Sequence, residues 1–355
     1  MKIKSIRAYD KNLQLTKPYT IALDTFTHAH LAFLELELDN GIVGYGSASP
    51  AEYVVGETTT KTLENLNSDV VQSLTGRDIR QFQQLIFEIR QNFKNYPGTV
   101  AAVDIALHDA FGKFLELPIV DFYGRKHDGL PTSVTIGIKD VAATLAEAKE
   151  YRQQRFKVLK VKTGLNVAED IERIVKLKET FGTYFTIRVD ANQGYNLDQT
   201  RQFLNATVSL DLELMEQPLP VGNEADMAGL TAAERQLCAG DESIKDGRAA
   251  LNYASIGHFG IYNIKLMKCG GLIGAQSIAQ IAQQAGISLF WGCNDESRLS
   301  ITAALHMAYA CPNTKYLDLD GSLDLIERLS DDGFELRDGS MYIGLKPGFG
   351  CTPIE

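Results

Sequence analysis

From Lys162 onward the chain keeps a beat that few folds can satisfy. Short apolar runs end in a polar residue at Lys162, Asp190, Glu216, Asp241, Lys265, Asp295 and Asp318, the last with Asp320 beside it. The successive steps are 28, 26, 25, 24, 30 and 23 residues. A step of that size accommodates one strand, one helix and two short loops. Helical patterns duly follow the runs, over residues 168–180, 197–207, 226–234, 247–253, 272–285 and 298–310. Residues 134–137 read as a strand before the series, with a helix over 142–154 and with Thr135 or Gly137 near the strand's end. The class is α/β, a (β/α) barrel whose C-terminal rim holds the chemistry. A chance series of solvated charges has no reason to keep such a period.

Within this frame the strand over 156–162 is the most telling. Side chains alternate across a strand, so Val158, Lys160 and Lys162 share one face while Leu159 and Val161 share the other. If the apolar face meets helices, the two lysines point into whatever the sheet encloses. Taken alone they would also suit a solvated edge; the downstream beat favours a site.

The 355 residues leave room for one barrel and a smaller companion domain. A net charge of −10 without a basic stripe argues against nucleic acid. No apolar run is long enough to span a membrane. The start, Met1 to Arg7, carries charge with no apolar stretch behind it, so a signal peptide is not expected. Five cysteines, never spaced as Cys-x-x-Cys, suit reduced thiols in a cytoplasm.

Residues 1–125 read as an α+β companion domain. Residues 2–8 and 31–38 alternate as strands, and Asp39-Asn-Gly turns the chain back into residues 42–46. The polar and aromatic stretch 16–30 is too long for a tight turn and reads as a lid or a wandering connection. Residues 57–117 are helical, with His108 and Asp109 as packing residues inside the apolar helix 99–115. The barrel takes residues 126–324. A hairpin turning at Asp338-Gly339 then suggests that 325–355 rejoin the first domain's sheet.

Asp190, Glu216 and Asp241 end three consecutive strands. Carboxylates that converge without neutralisation raise one another's pKa. A hard divalent cation resolves this, and an all-oxygen set with room for water suits Mg²⁺, one ion per chain. Zinc is not expected, because no histidine or cysteine pair lies near these positions. Pairing with Arg188 and the rim lysines is the competing structural account. Lys162 on the second strand and Lys265 on the sixth lie across the ring from each other. Two lysines so placed can hold a substrate's α-carbon between them, one removing a proton and the other returning it with inversion. The enediolate formed next to a carboxylate needs the charge that Mg²⁺ supplies. A basic lysine must be neutral, and Lys160 and the metal both push Lys162 that way.

Lys160-x-Lys162, Asp190-Ala-Asn, Glu216-Gln-Pro, Asp241-Glu-Ser and Asn263-Ile-Lys265-Leu-Met-Lys268-x-Gly-Gly together resemble the muconate-lactonizing subgroup of the enolase superfamily. The resemblance covers the whole chain. It implies a modified (β/α)8 barrel, (β/α)7β, under an N-terminal α+β capping domain, with Lys162 and Lys265 catalytic and Asp190, Glu216 and Asp241 on the metal. Asp318-Leu-Asp320 looks like the Asp-x-Asp feature of dipeptide epimerases. It implies that both aspartates grip the α-ammonium of a dipeptide, that Lys160 helps to hold its carboxylate, that Thr135 meets its backbone, and that Cys293, Asp295 and Glu296 line the pocket. It also implies that such barrels often form homo-oligomers, although no interface signature stands out.

One departure bears on the substrate. Members acting on Ala-Glu carry an arginine in the capping loop, where Lys17-Pro18-Tyr-Thr-Ile-Ala-Leu-Asp24-Thr25 has Asp24. A carboxylate there repels an acidic substrate. With Phe26 nearby, small or apolar dipeptides such as Ala-Ala or Ala-Val are expected, and a cationic residue pairing with Asp24 is the alternative. Other reactions open to the scaffold are those of o-succinylbenzoate synthase or muconate cycloisomerase and of N-acylamino-acid racemase, neither of which has a use for Asp318 and Asp320.

Overall fold

The structure, a computed structural model, describes residues 1–22, 24–327, 330 and 332–352 (of Tyr19 the backbone alone). Eight short parallel strands run in chain order around one sheet: β5 (Ser133–Ile136), β6 (Val158–Lys162), β7 (Thr186–Asp190), β8 (Leu214–Glu216), β9 (Cys238–Gly240), β10 (Ile261–Ile264), β11 (Ser288–Trp291) and β12 (Thr314–Leu317). Numbering starts from β1 (Ile3–Thr20), β2 (Thr25–Leu38) and β3 (Val43–Ala48) of the capping region and β4 (Leu130–Pro131). The ends of the sheet meet: Thr132 bridges Leu317 in parallel, and Ser133 Oγ donates to the Leu317 carbonyl at 3.2 Å. Seven strands lead into helices and, among the described residues, the eighth into none, the (β/α)7β form.

Alternation along each strand sorts the interior. Leu159, Val161, Ile187 and Val189 face outward and join Ile174, Leu177 and Phe203 of the helices in the main apolar core. Inward-facing Leu214, Ala239, Ile261, Phe290 and Tyr316 make a separate small cluster that fills the barrel's interior. Above this layer the inward positions turn polar, which is where Lys160, Lys162, Asp190 and Glu216 sit. Filled interior layers are what a barrel of this size requires.

Helices Leu197–Thr207 and Arg298–Ala310 lie where the spacing places them. The segment after β8 differs. A 3₁₀ turn, Glu224–Gly229, precedes a short helix, Ala232–Leu237, because Thr231 opens a new capping box with Glu234.

The stretch 16–30, read as a loop, is mostly strand. β1 and β2 form one long antiparallel hairpin, paired from Ile3↔Leu38 out to Thr20↔Thr25, with a register irregularity between Gln14 and Tyr19. Its outer part is exposed on most positions, so it lacks the one-sided apolar alternation by which a strand is read from sequence. The hairpin reaches over the barrel: Ile138 N–H donates to Thr20 O at 2.8 Å, and Thr16 N–H to Asp324 O at 2.7 Å. Beneath it the buried helix Pro97–Phe114 packs against β3. A Cβ on Gly46 would lie 1.9 Å from Ala102 O, so only glycine permits that approach. His108 and Asp109 are fully buried packing residues; His108 Nε2 meets Tyr123 Oη at 2.7 Å, and Asp109 accepts from Tyr45 N–H and Phe349 N–H.

The C-terminal hairpin, β13 (Phe334–Arg337) and β14 (Ser340–Ile343), does not extend the first domain's sheet. β14 pairs with β4, through Ser340↔Pro131 and Met341↔Leu130, in a sheet of its own. Phe334 and Met341 are drawn into the main core there, and Tyr309 Oη binds the Met341 carbonyl. The tail still touches the capping region, through Ile119 N–H to Gly348 O at 3.0 Å. All five cysteines are free, and among the described residues no helix is long and apolar enough to cross a membrane.

Candidate active site

The register of the strands brings the polar residues to one end of the barrel. Lys162 lies opposite Asp190, and Asp190 opposite Glu216. Asp241, Lys265 and Asp318 each follow directly on the last residue of β9, β10 and β12. All are buried. The Lys160 ammonium is bound by three carboxylates: Asp190 Oδ2 at 3.0 Å, Glu216 Oε2 at 2.8 Å and Asp318 Oδ2 at 2.8 Å. Lys162 donates to Asp190 Oδ2 at 2.7 Å and Asn192 Oδ1 at 3.0 Å. Across the ring, Lys265 lies 2.9 Å from Asp241 Oδ2. Lys268, quoted in a motif but given no role by the sequence, is buried against the other Asp241 oxygen and donates to Asn263 O at 3.0 Å.

These pairings set the proton affinities. Burial pushes the Lys160 amine down, but Asp190, Asp318 and Glu216 outweigh it and hold Lys160 well above the usual lysine range. At Lys265 burial again opposes, and Asp241 prevails, so the amine is held as the ammonium. The lowering expected of a basic lysine is therefore not seen at Lys265, because a buried carboxylate at 2.9 Å outweighs the nearby Lys160 charge. Lys268 goes the other way, its burial exceeding the pull of Asp241. Among the acids, burial raises Asp190 and Asp241, yet the lysines beside them keep both below the ordinary carboxylate range. Glu216 has less compensation: burial and then the charge of Asp190 push it to about 8.

Among the described residues, no three acidic, histidine or cysteine side chains form a ready-made metal cluster; each carboxylate leans on a lysine instead. The donor set nevertheless fits a hard cation. It is all oxygen and buried, and Glu216 Oε2, although 2.8 Å from the Lys160 ammonium, accepts no hydrogen bond. Positive charge placed among these acids would relieve the strain that raises Glu216.

Two cavities share Lys162, Lys265, Cys293, Asn294 and Asp295. The first runs past Thr135, Lys160, Asp318 and Asp320 to Glu147, Tyr151 and Asp324, with Lys17 and Pro18 of the hairpin on its wall. Asp318 accepts from Ser133 Oγ at 2.6 Å as well as from Lys160, and Asp320 from the Thr135 N–H at 2.8 Å. Burial, with Asp318 and Asp324 adding to it, pushes Asp320 to about 8. The second cavity is walled by Asp24, Phe26, Glu52, Tyr53, Asn192 and Glu242. Asp24 thus reaches the site. Glu296 does not line either cavity. Its carboxyl turns back to accept the Asn294 N–H at 3.0 Å, so it shapes the loop that carries Asn294 and Asp295. Residues that sequence reasoning passed over, Asn192, Gln217, Glu242 and Lys268, all stand inside the quoted motifs. Gln217 ties two of them together by accepting from Asp241 N–H at 2.9 Å.

Comparison with known proteins bears on this arrangement. Residues 3–124 match the mandelate racemase / muconate lactonizing enzyme N-terminal domain, and residues 143–355 the enolase C-terminal domain-like family. The chain belongs to the enolase superfamily. Among members of that superfamily, it is 48% identical over the full length of both chains to an L-Lys-D/L-Arg epimerase from Desulforapulum autotrophicum. It is 33% identical, over 92% of each chain, to a hydrophobic dipeptide epimerase from Enterococcus faecalis. Its fold superposes with a TM-score of 0.97 on the crystal structure of a dipeptide epimerase from Methylococcus capsulatus complexed with Mg and the dipeptide L-Arg-D-Lys. That enzyme is 44% identical, with 99% of this chain and 100% of the other covered.

Proposed function

We infer that this superfamily member is a Mg²⁺-dependent dipeptide epimerase that favours dipeptides with cationic side chains and inverts the α-carbon of the second residue. The isomerase class and the dipeptide substrate are supported by the relatives quoted above, all named epimerases, one of them a hydrophobic dipeptide epimerase and another a dipeptide epimerase complexed with L-Arg-D-Lys. The cationic preference replaces the expectation of small or apolar dipeptides, and one observation carries it: the cavity that holds Phe26 and Tyr53 is walled by Asp24, Glu52 and Glu242, with no lysine or arginine among the described residues besides Lys162 and Lys265. The greater identity to the Lys/Arg enzyme than to the hydrophobic one supports the same reading.

In this reading the α-ammonium binds at Asp318 and Asp320, with the Thr135 N–H fixing the Asp320 carboxylate. Asp24 faces the second residue's side chain, and Phe26 and Tyr53 cover it. Cys293 and Asp295 form the wall between the two cavities. Asp190, Glu216 and Asp241 are the residues that would hold the Mg²⁺, and the positive charge it would supply is what an enediolate next to a carboxylate needs. Lys160 stands among these carboxylates as a fixed counter-charge near the substrate carboxylate. Lys162 and Lys265 exchange the α-proton from opposite faces, and Lys265, held as the ammonium, is poised to donate. The five free thiols support a reducing compartment such as the cytoplasm as the setting of the reaction.

Solvent deuterium incorporation into a pooled dipeptide library, read by mass spectrometry with Mg²⁺ and with chelator, tests this. Mg²⁺-dependent exchange at the second residue's α-carbon should be fastest for Lys- and Arg-containing dipeptides. Faster exchange of Ala-Ala or Ala-Val would restore the apolar specificity, and no exchange in any dipeptide would sink the epimerase reading.

A further inference from the structure

Two motifs carry polar residues whose work the two-lysine chemistry leaves unassigned. Asn192 follows Asp190 by two positions, and Glu242 follows Asp241 directly. The amide oxygen of Asn192 accepts from Lys162 Nζ at 3.0 Å, while its amide nitrogen turns to Glu242 Oε1 at 3.5 Å. Its backbone has φ +40°, in the left-handed region that asparagine tolerates better than most residues, and its N–H donates to Asp190 Oδ1 at 2.9 Å. Glu242 is 3% exposed, and its second oxygen, Oε2, is buried without a hydrogen-bond partner among the described residues. A bare buried carboxylate oxygen and a left-handed backbone both cost stability, and costs of this kind collect where geometry serves function.

The geometry of Lys162 shows what they serve. An amine nitrogen has three directions besides its bond to Cε. Two are taken, by Asp190 Oδ2 at 2.7 Å and by Asn192 Oδ1. The third is left to the cavity that Lys162 shares with Lys265. An amide oxygen accepts from an amine in either protonation state. Glu242 decides which end of the amide faces the lysine, since a carboxylate accepts only from the NH₂ end.

We propose that Asn192, oriented by Glu242, is a positioning residue for Lys162 that aims its nitrogen at the substrate α-carbon. This rests on the two-lysine reading above and deepens it. The prediction is asymmetric: losing the Asn192 amide disables the Lys162 face and spares the Lys265 face.

Asn192→Gly removes the amide yet accepts the left-handed backbone, so the fold and the Asn192 N–H to Asp190 are retained. Each epimer of a Lys-Arg dipeptide is incubated in D₂O with Mg²⁺-loaded enzyme, and α-deuteration and inversion are followed separately by NMR. Inversion should fall about 30-fold or more with KM within about threefold, while α-deuteration of one epimer stays within about threefold of wild type. Equal loss of exchange from both epimers, or unchanged inversion, overturns the proposal. Glu242→Leu should reproduce the split, and Glu242→Gln, which keeps an oxygen for Asn192, should retain at least about tenfold more inversion than Glu242→Leu; identical behaviour of the two removes Glu242 from the device. Titration calorimetry should give unchanged Mg²⁺ affinity for Asn192→Gly, a loss indicating a role at the metal instead. If the wild type exchanges no dipeptide, the epimerase reading fails by itself. A crystal structure of Asn192→Gly then still decides the positioning claim: Lys162 Nζ displaced or in several rotamers sustains it, and an unmoved Lys162 overturns it.

Discussion

The ion pairs around Asp241 show how closely single residues are balanced in this site. Lys268 is buried, donates to Asp241 and to two backbone carbonyls, and lines neither cavity beside Lys162 and Lys265. Lys268→Met removes one partner of a buried pair and leaves Asp241 with Lys265 alone. We expect a destabilisation of about 3 kcal/mol in urea unfolding of the metal-free protein, the usual penalty for stranding a buried charge. Asp24 makes the opposite kind of prediction, because it stands at a cavity wall and not in the core. Asp24→Asn should lower kcat/KM about tenfold for dipeptides with a cationic second residue and leave Ala-Ala within about twofold, the loss of one charge-assisted contact. Equal effects on both substrates would remove Asp24 from side-chain recognition. At this scale the sequence was informative about which residues come together, since alternation puts Lys160 and Lys162 on one face of their strand and the period puts Asp190 and Glu216 at the ends of the next two. It said nothing of the partner each would choose. Lys160 binds three carboxylates and Glu296 turns back to a backbone N–H, and both depend on atoms distant in sequence or on loop geometry.

At the scale of elements, contacts between helices and strands carry the stability. Gly46 on β3 lies so close to the helix Pro97–Phe114 that a methyl group would overlap Ala102 O and crowd Ala106. Gly46→Ala should therefore cost about 2 kcal/mol or more of stability, by thermal denaturation, as the helix is forced away. The helix Arg298–Ala310 contributes a pH-sensitive contact. His306 Nδ1 accepts the Val120 N–H at 3.1 Å, and burial, with the Arg125 charge second, pushes His306 down to about 3. The folded state thus keeps His306 neutral, whereas the unfolded chain takes up a proton near pH 6.5. Its contribution is present above that pH and is lost as pH falls toward 3. Between pH 7 and pH 5 this amounts to about 2 kcal/mol. His306→Asn, which retains an acceptor, should flatten the fall in stability over that range, and an unchanged slope would refute the assignment. The elements themselves were mostly legible, because a helix buried on one side leaves its period in the sequence. The hairpin β1–β2 was not legible between Ala8 and Leu31, since its outer strands are largely exposed and their pairing is backbone to backbone.

For the whole molecule, the buried acids make stability and metal binding one question. A cation that binds the folded site and not the unfolded chain stabilises by about 2.7 kcal/mol at a hundred times its dissociation constant. Saturating Mg²⁺ should raise Tm by a few degrees, chelator should reverse the rise, and Asp190→Asn should abolish it; a Tm indifferent to Mg²⁺ would contradict the proposed donor set. What the sequence alone determined was the barrel, its order of strands and the residues at its rim, because these follow from period and chain connectivity. Only the tertiary structure decided that Asp24 and Phe26 share a cavity with Lys162 and Lys265, and that the C-terminal hairpin pairs with Leu130–Pro131. The physical reason is range. Periodicity records what each residue does relative to its neighbours along the chain, whereas a cavity wall or a sheet edge is completed by residues a hundred or more positions away.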